Sequence, residues 1–457
     1  MDDYQQFIEA KTLIDSPTGF EPSSINPALF PWQAEIVRYA CMRGRFGGYE
    51  DCGLGKSIQQ LESARLIHEH TGSPVLILAP LAVAEQTKRE AVKFDIQAEV
   101  RVCKDQSHVG NCINVANYER LHLFEPEKFG GVLLDEGSIL KSIDGKTRGT
   151  LLSHWQCVPY RQSWSATPAP NDFMEIGNQA EFLGVMKRSE MLATFFVHDG
   201  GDTSKWRLKG HAREAFWRWM ASWCVMVRRP SDLGHNDDGY DLPPIQYHEH
   251  YTDAKAQEGQ LFAMNANTLH ERRGARKASL QDRCEKAAEL ADGDGPCVVW
   301  CNLNSEGELL AKMIPGAVEV AGRHTVEQKE DRLAAFTNGD IRCLITKPKI
   351  GGFGLNWQHC PSTVIFPTDS WEQWYQMVRR FWRFGQTQTV NVHAVASESE
   401  EGVIANLKRK EQDAGVMFDG IAAAMSELSR EQIKQTQRQT TTYSPTQRME
   451  LPSWLTV

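Results

Sequence analysis

The chain has 457 residues, 41% of them hydrophobic, a formal net charge of -9 and eleven cysteines. Roughly two to three domains are expected at that length, and no apolar run is long enough to span a membrane. The opening Met1-Asp2-Asp3-Tyr4-Gln5-Gln6 lacks the basic and apolar regions of a secretory signal, so a cytoplasmic protein without membrane partners is expected. The cysteines form no CxxC pair and no zinc-spaced cluster, which predicts reduced thiols; Cys297 and Cys301 share a strand face and should pack in a core. An acidic balance lacks the basic excess usual for nucleic-acid binders, yet a local groove can be positive on an acidic protein.

Residues 1–28 are read as an extension. Phe30-Pro31-Trp32-Gln33 then places an amide beside aromatics, and Gln33 suits the hydrogen-bonding edge of adenine, which would make ATP the preferred nucleotide. Glu50-Asp51-Cys52-Gly53-Leu54-Gly55-Lys56-Ser57 fits a phosphate loop. Gly53, Leu54 and Gly55 would wrap the phosphates, Lys56 would reach the β and γ oxygens, and the Ser57 hydroxyl would hold Mg²⁺. Glu50 stands where the generic pattern has its first glycine. A chance turn is the competing reading, but a helical pattern with Gln59, Gln60, Leu61 and Ala64 follows directly.

Val75 to Ala79, ending at Pro80, and Gly131 to Leu134 are short apolar runs of the kind that form buried parallel strands. Asp135 and Glu136 end the second run, where a metal-holding carboxylate and a water-polarising one belong. Ser165-Ala166-Thr167-Pro168 comes next, a small hydroxyl-bearing turn suited to coupling.

From about 172 to 292 the sequence reads as mostly helical. Phe216, Trp219, Met220 and Trp223 fall on one helical face; core packing is the expected role and base stacking the alternative. Residues 231–244, with several Gly, Asp and Pro, read as a surface crossing between lobes. Apolar runs resume at Cys297 to Trp300, Ile341 to Thr346 and Thr363 to Pro367. Alternating strands and helices argue for doubly wound parallel α/β lobes with ligands at the carboxyl ends of the strands.

Ile350-Gly351-Gly352-Phe353-Gly354-Leu355-Asn356 permits close backbone approach to a nucleotide or a nucleic-acid strand. The run from Gln376 to Gln386 follows, in which Arg380 and Arg383 lie three apart and on a helix would project to one side toward phosphate. A solvated basic helix would not call for Phe381 and Trp382 between them. After about 427 the chain turns polar and reads as a loosely ordered tail ending near Trp454.

In this order the motifs resemble the Swi/Snf family of superfamily-two ATPases, over about Leu29 to Lys410. Gly351 to Asn356 and Gln376 to Gln386 are the most family-specific strings. Residues 198–206 and the absence of accessory domains resemble the compact members carried by bacteriophages and prophages. The resemblance implies two RecA-like lobes, at 29–171 and 293–426, with helical protrusions and a crossing at 172–292 and a tail at 427–457. It implies an ATP- and Mg²⁺-dependent motor on DNA, duplex favoured, in which closure of the lobes on DNA brings Arg380 and Arg383 onto the γ-phosphate. Lys56, Asp135, Glu136, Arg380 and Arg383 would be catalytic, Ser57 and Asp135 would hold the metal, and Gly354 would approach the nucleotide. Pro80, Ser165, Thr167, Gly351, Gly352, Asn356 and Gln376 would contact or couple to nucleic acid. Leu451 to Leu455 of the tail are read either as a frayed end, the commoner outcome, or as a docking segment for a phage or host DNA-metabolism protein. The setting would be a host bacterial cytoplasm if the chain is phage-borne. A strand-separating helicase on single-stranded DNA or RNA, and a nucleotide-gated recruitment module with little turnover, are the alternatives. Three departures stand out: Ser138 replaces a histidine, Arg379 occupies a position where aspartate is usual, and the interval from Trp371 to Gln376 is short.

Overall fold

The computed structural model describes residues 17–80, 83–141, 145–199, 202–254, 269–351 and 356–433. Strands β1 (Arg45–Glu50), β2 (Val75–Ala79), β3 (Val100–Val102), β4 (Ile113–Asn117), β5 (Gly131–Asp135) and β6 (Tyr160–Ser165) precede an antiparallel hairpin of β7 (Phe196–Asp199) and β8 (Asp202–Leu208). β9 (Cys224–Val227) then completes a seven-stranded sheet in the order β3-β4-β2-β5-β6-β1-β9. A second, six-stranded sheet is built from β10 (Ile245–Thr252), β11 (Cys297–Trp300), β12 (Val318–Val320), β13 (Cys343–Thr346), β14 (Ser362–Ile365) and β15 (Val390–Ser397), ordered β10-β15-β14-β11-β13-β12. All ladders within both sheets are parallel. The fold is therefore α/β with two parallel-sheet lobes, as the alternating pattern predicts.

β2, β11 and β13 are buried along their whole length because apolar clusters cover both faces of each sheet. β1 escapes a hydrophobicity reading, since Gly47-Gly48 interrupts it. The reason is packing: a Cβ on Gly48 would lie 2.3 Å from the Trp164 ring on β6. Parallel register sets Asp135 opposite Trp164 and Tyr49 opposite Ser165, so Asp135, Ser165 and Glu50 finish at one edge of the first sheet.

The stretch 172–292 departs from its helical reading. It supplies the hairpin and an edge strand to each sheet, β9 to the first and β10 to the second. The helical face at 216–223 is real only as far as helix end Ala221; Phe216, Trp219, Met220 and Trp223 are all buried in the first lobe's core, so packing and not base stacking is their role. Trp223 leads straight into β9, whose apolar run Cys224-Val225-Met226-Val227 fits a period-free buried strand as well as a helix.

Five helices position the site: α1 (Pro31–Arg43), α2 (Lys56–Thr71), α3 (Arg213–Ala221), α4 (Trp371–Val378) and α5 (Glu401–Ile433). α5 runs past 427, where a loose tail is expected, because Leu428, Arg430, Glu431 and Gln432 are good helix formers continuing an anchored helix. Residues 434–457, including Trp454, and residues 1–16 lie outside the described residues. α5 spans the two lobes: Val403, Ile404 and Leu407 pack in the second core, whereas Met417, Phe418 and Ile421 pack in the first. Arg228 of the first lobe pairs with Asp419 and stacks on the Phe418 ring at 5.4 Å. Among the described residues no helix is long and apolar enough to cross a membrane, and no cluster of three or more His, Cys, Asp or Glu side chains is placed to hold a metal. All eleven cysteines are free, and Cys297 and Cys301 are buried in the second core as expected.

Phe418→Ala should destabilise the first lobe by about 3 kcal/mol although the residue lies near the far end of the chain. Urea unfolding followed by tryptophan fluorescence checks this; an unchanged midpoint would mean that α5 does not brace that core.

Candidate active site

A cavity of about 460 Å³ opens between the carboxyl edge of the first sheet and the turn that follows α4. Its walls carry Gln33, Gly53, Gly55, Lys56, Ser57, Asp135 and Glu136 from one lobe, and Asn356, Arg380 and Arg383 from the other. Residues nearly 330 positions apart in the chain thus face one space.

The loop between β1 and α2 is shaped by two glycines with positive φ, Gly53 at 93° and Gly55 at 80°. A side chain at Gly55 would meet the Gln33 amide nitrogen at 2.5 Å, and one at Gly53 would meet the Phe384 backbone nitrogen at 3.0 Å. Both positions need glycine for conformation and for space. Leu54 between them turns inward, 2% exposed, into the core beneath the loop. Lys56 begins α2, and its Nζ donates to the carbonyls of Glu50 at 2.8 Å and Asp51 at 3.1 Å. The ammonium is therefore held inside the loop's own curve. Ser57 follows on the first turn of α2.

Gln33 sits at the third position of α1, which opens with Pro31. Its Oε1 accepts from the Phe30 N–H at 3.0 Å and its Nε2 donates to the Leu54 carbonyl at 2.8 Å. The amide thus joins the start of α1 to the Gly53–Gly55 turn while remaining on the cavity wall.

Asp135 Oδ1 accepts from Gln60 Nε2 at 2.8 Å, and Tyr118 OH donates to the Asp135 carbonyl at 2.6 Å. Glu136 has φ 54°, a left-handed backbone for a residue with a Cβ, held where β5 turns into the next segment. Its Oε2 is buried with no hydrogen-bond partner. Burial first, and the Asp135 carboxylate second, raise its pKa above the ordinary glutamate value; burial also raises that of Asp135. A carboxylate displaced toward neutrality, unpartnered and aimed at a cavity is a candidate general base.

Arg380 and Arg383 do reach the cavity, but not from one side of a helix. α4 ends at Val378, and the run 379–385 is a turn. Phe381 is the reason: fully buried, it packs on Trp300 and Trp357 of the second core and draws the backbone inward, leaving its flanking arginines toward the cleft. Gln386 closes the turn, donating to the carbonyls of Phe381 and Gln358 and accepting from the Thr387 and Gln388 N–H groups. Its conspicuous place in the motif is thus structural. Burial lowers the pKa of both arginines, Arg383 to about 10, while Glu136 and Asp135 favour the charged form of Arg380.

The other expected contact residues lie elsewhere. Ser165 and Thr167 are buried at the end of β6, the Ser165 hydroxyl accepting from the Thr167 N–H at 3.0 Å. Pro80 follows β2 without lining the cavity, its carbonyl accepting from the N–H of the lining residue Val83 at 3.0 Å, and a Cβ on Gly351 would meet the side chains of Thr346 and Trp357. Gln376 is buried inside the second lobe, where its carbonyl accepts from Arg380 Nε at 3.2 Å. Gly352 and Gly354 fall outside the described residues. Tyr240, outside every motif, lies on the inter-lobe crossing and packs on Phe384 at 4.7 Å and, edge-on, near Phe30 and Trp32. Phe30, Tyr240 and Phe384 form one aromatic patch on the cavity wall. Only its place in a Gly/Asp/Pro-rich crossing marked that segment, and nothing there pointed to a ligand.

The chain matches no family model and no curated protein. Among solved structures it is similar to the Sulfolobus solfataricus SWI2/SNF2 ATPase core in complex with dsDNA, at 18% identity and a TM-score of 0.43, covering 91% of this chain and 98% of that one.

Glu50 tests the electrostatics of the loop. It is fully buried at the end of β1, Oε2 accepts from Gln59 at 2.7 Å, Oε1 has no partner, and burial pushes its pKa up to about 7 from 4.5. The folded state keeps this proton where the unfolded chain releases it, so stability falls as pH rises from 4.5 through 7. The expected loss is on the order of 3 kcal/mol. Comparing urea unfolding at pH 5 and pH 8, Glu50→Gln should make that slope shallower, with the share of Glu136 remaining; an equal slope in both proteins would remove the assignment.

Proposed function

We propose that this chain is a DNA-dependent ATPase, a motor that hydrolyses ATP to ADP and phosphate and uses the turnover to move along DNA, duplex favoured. The observation that supports the reading is the convergence of Lys56, Asp135 with Glu136, and Arg380 with Arg383 on one cavity between two lobes. Any one of these groups has an ordinary structural explanation, whereas their meeting across the chain is what phosphoryl transfer requires: cradle, metal ligand, base and remote cation. The order of motifs, with its resemblance to Swi/Snf ATPases, supports the same reading.

The residues fit the substrate and its metal. Two glycine-shaped turns that a Cβ would fill make a backbone cradle for phosphate at the start of α2. The cations Lys56, Lys93, Arg380 and Arg383 suit a polyanion, and the oxygen donors of Ser57 and Asp135 suit a hard divalent ion. Bound there, Mg²⁺ would neutralise charge on the phosphate oxygens. The aromatic patch formed by Phe30, Tyr240 and Phe384 suits a base, with Gln33 beside it.

In the reaction, Lys56 exchanges its carbonyl partners for phosphate oxygens. Glu136 orients a water molecule and takes its proton as the oxygen attacks the γ-phosphorus; the bond to the β-phosphate oxygen breaks and ADP leaves. Arg380 and Arg383 carry the charge that develops on the transferring group, and because they are buried their field is little screened. DNA would run across both lobes and report its presence through their relative position.

Phosphate release measured with duplex DNA, single-stranded DNA, RNA and no polymer, at one stated salt concentration, tests the reading. Duplex DNA should stimulate most. Arg383→Ala should cost on the order of 10³-fold or more in kcat. Lys56→Ala should abolish nucleotide binding, and Glu136→Gln should bind ATP without cleaving it. Normal turnover by Glu136→Gln would refute the mechanism, and failure to displace a third strand from a triplex would reduce the motor to a clamp.

A further inference from the structure

Arg379, Asp51 and Tyr375 line no part of the cavity, yet they join its two halves directly. Arg379 donates from Nη2 to Asp51 Oδ2 at 2.6 Å, and Tyr375 OH donates to Asp51 Oδ1. The same Oδ1 accepts from the Cys52 N–H at 2.6 Å, so one carboxylate links the entrance of the phosphate loop to the end of α4. The ion pair is well shielded, with side-chain exposures of 13% and 9%. The guanidinium is also enclosed by rings, 4.9 Å from Tyr375 and 4.3 Å from Trp382. A planar cation held by a carboxylate and two aromatic faces has little freedom.

Arg379 is the immediate neighbour of Arg380. Wherever Asp51 holds the first, the second and the turn carrying Arg383 must follow. At the opposite end of α4, Glu372 pairs with Lys141, just beyond the Asp135-Glu136 turn. One short helix is thus tied at its last turn to the phosphate loop and at its first turn to the carboxylate segment.

Resting on the ATPase reading above, we propose that the Asp51–Arg379–Tyr375 cluster is an inter-lobe latch, a set of positioning residues that seats Arg380 and Arg383 over the phosphate loop before nucleic acid arrives. The latch gives the chain a share of its ATP turnover without DNA, and DNA then adds to a cleft already assembled. Aspartate at position 379 would repel Asp51, so the arginine there is specific to this device.

A double-mutant cycle on the full chain tests it, with Asp51→Asn, Arg379→Gln and the pair together. Each single change should lower DNA-free kcat roughly tenfold or more, while the dissociation constant for a fluorescent ATP analogue moves less than about threefold. The double variant should be no worse than either single, and Arg379→Lys should recover part of the loss. Tyr375→Phe, which removes one hydroxyl, should give a smaller effect with an unchanged melting temperature. An energy-transfer pair with one dye on each lobe should report a longer distance in both single variants. Additive losses, a fall in nucleotide affinity matching the fall in kcat, or an unchanged inter-lobe distance would each overturn the latch. If the wild-type chain hydrolyses no ATP under any condition, the ATPase reading fails while the distance measurement still decides whether the latch holds the lobes.

Discussion

The contact between the glycine loop ahead of α2 and the turn after α4 governs how this molecule is built. At Gly53 the two lobes approach so closely that a single added carbon would touch the Phe384 backbone. Such proximity brings Lys56, Arg380 and Arg383 together, which is electrostatically unfavourable unless carboxylates or a polyanion balance them. Asp135, Glu136 and Asp51 supply part of that balance from the protein itself. The arrangement makes sense of raised carboxylate and lowered guanidinium pKa values in one place: burial acts on both kinds of group, and each is held there by the other.

The rest of the architecture maintains that contact. Phe381 anchors the arginine turn in the second core, and Gln386 ties its ends. α5 leaves the second lobe and buries Met417, Phe418 and Ile421 in the first, so the lobes share apolar packing as well as charge. The two kinds of link differ in character. Apolar burial along α5 is non-directional and sets an approximate relation between lobes, whereas the Asp51–Arg379 pair demands one geometry.

Much of the site is legible in the sequence because its chemistry is local. Gly53 to Ser57 is one contiguous glycine turn leading into a helix, and Asp135-Glu136 follows directly on a buried strand. Arg380 and Arg383 are identifiable from the aromatic residue between them and the Gly-Gln that follows, although the reason is a core-anchored turn and not a helical face. Gly47-Gly48 hid β1 because its packing partner, Trp164, lies over a hundred residues away. The edge strands β9 and β10 were obscured for the same kind of reason: Cys224 to Val227 is four apolar residues with no period, and only neighbouring strands decide its state.

The amino-acid order alone determined which groups are available: a glycine-rich loop ahead of a helix, a carboxylate pair at a strand end and two arginines flanking a buried aromatic, because each depends on residues adjacent in the chain. Tertiary structure alone decided that these groups share one cavity, that Ser165, Thr167 and Gln376 turn away from it, and that Tyr240 and Arg379 join its surroundings. Those outcomes rest on distances between residues hundreds of positions apart, and such distances are set by the packing of whole sheets and helices, which no local pattern encodes.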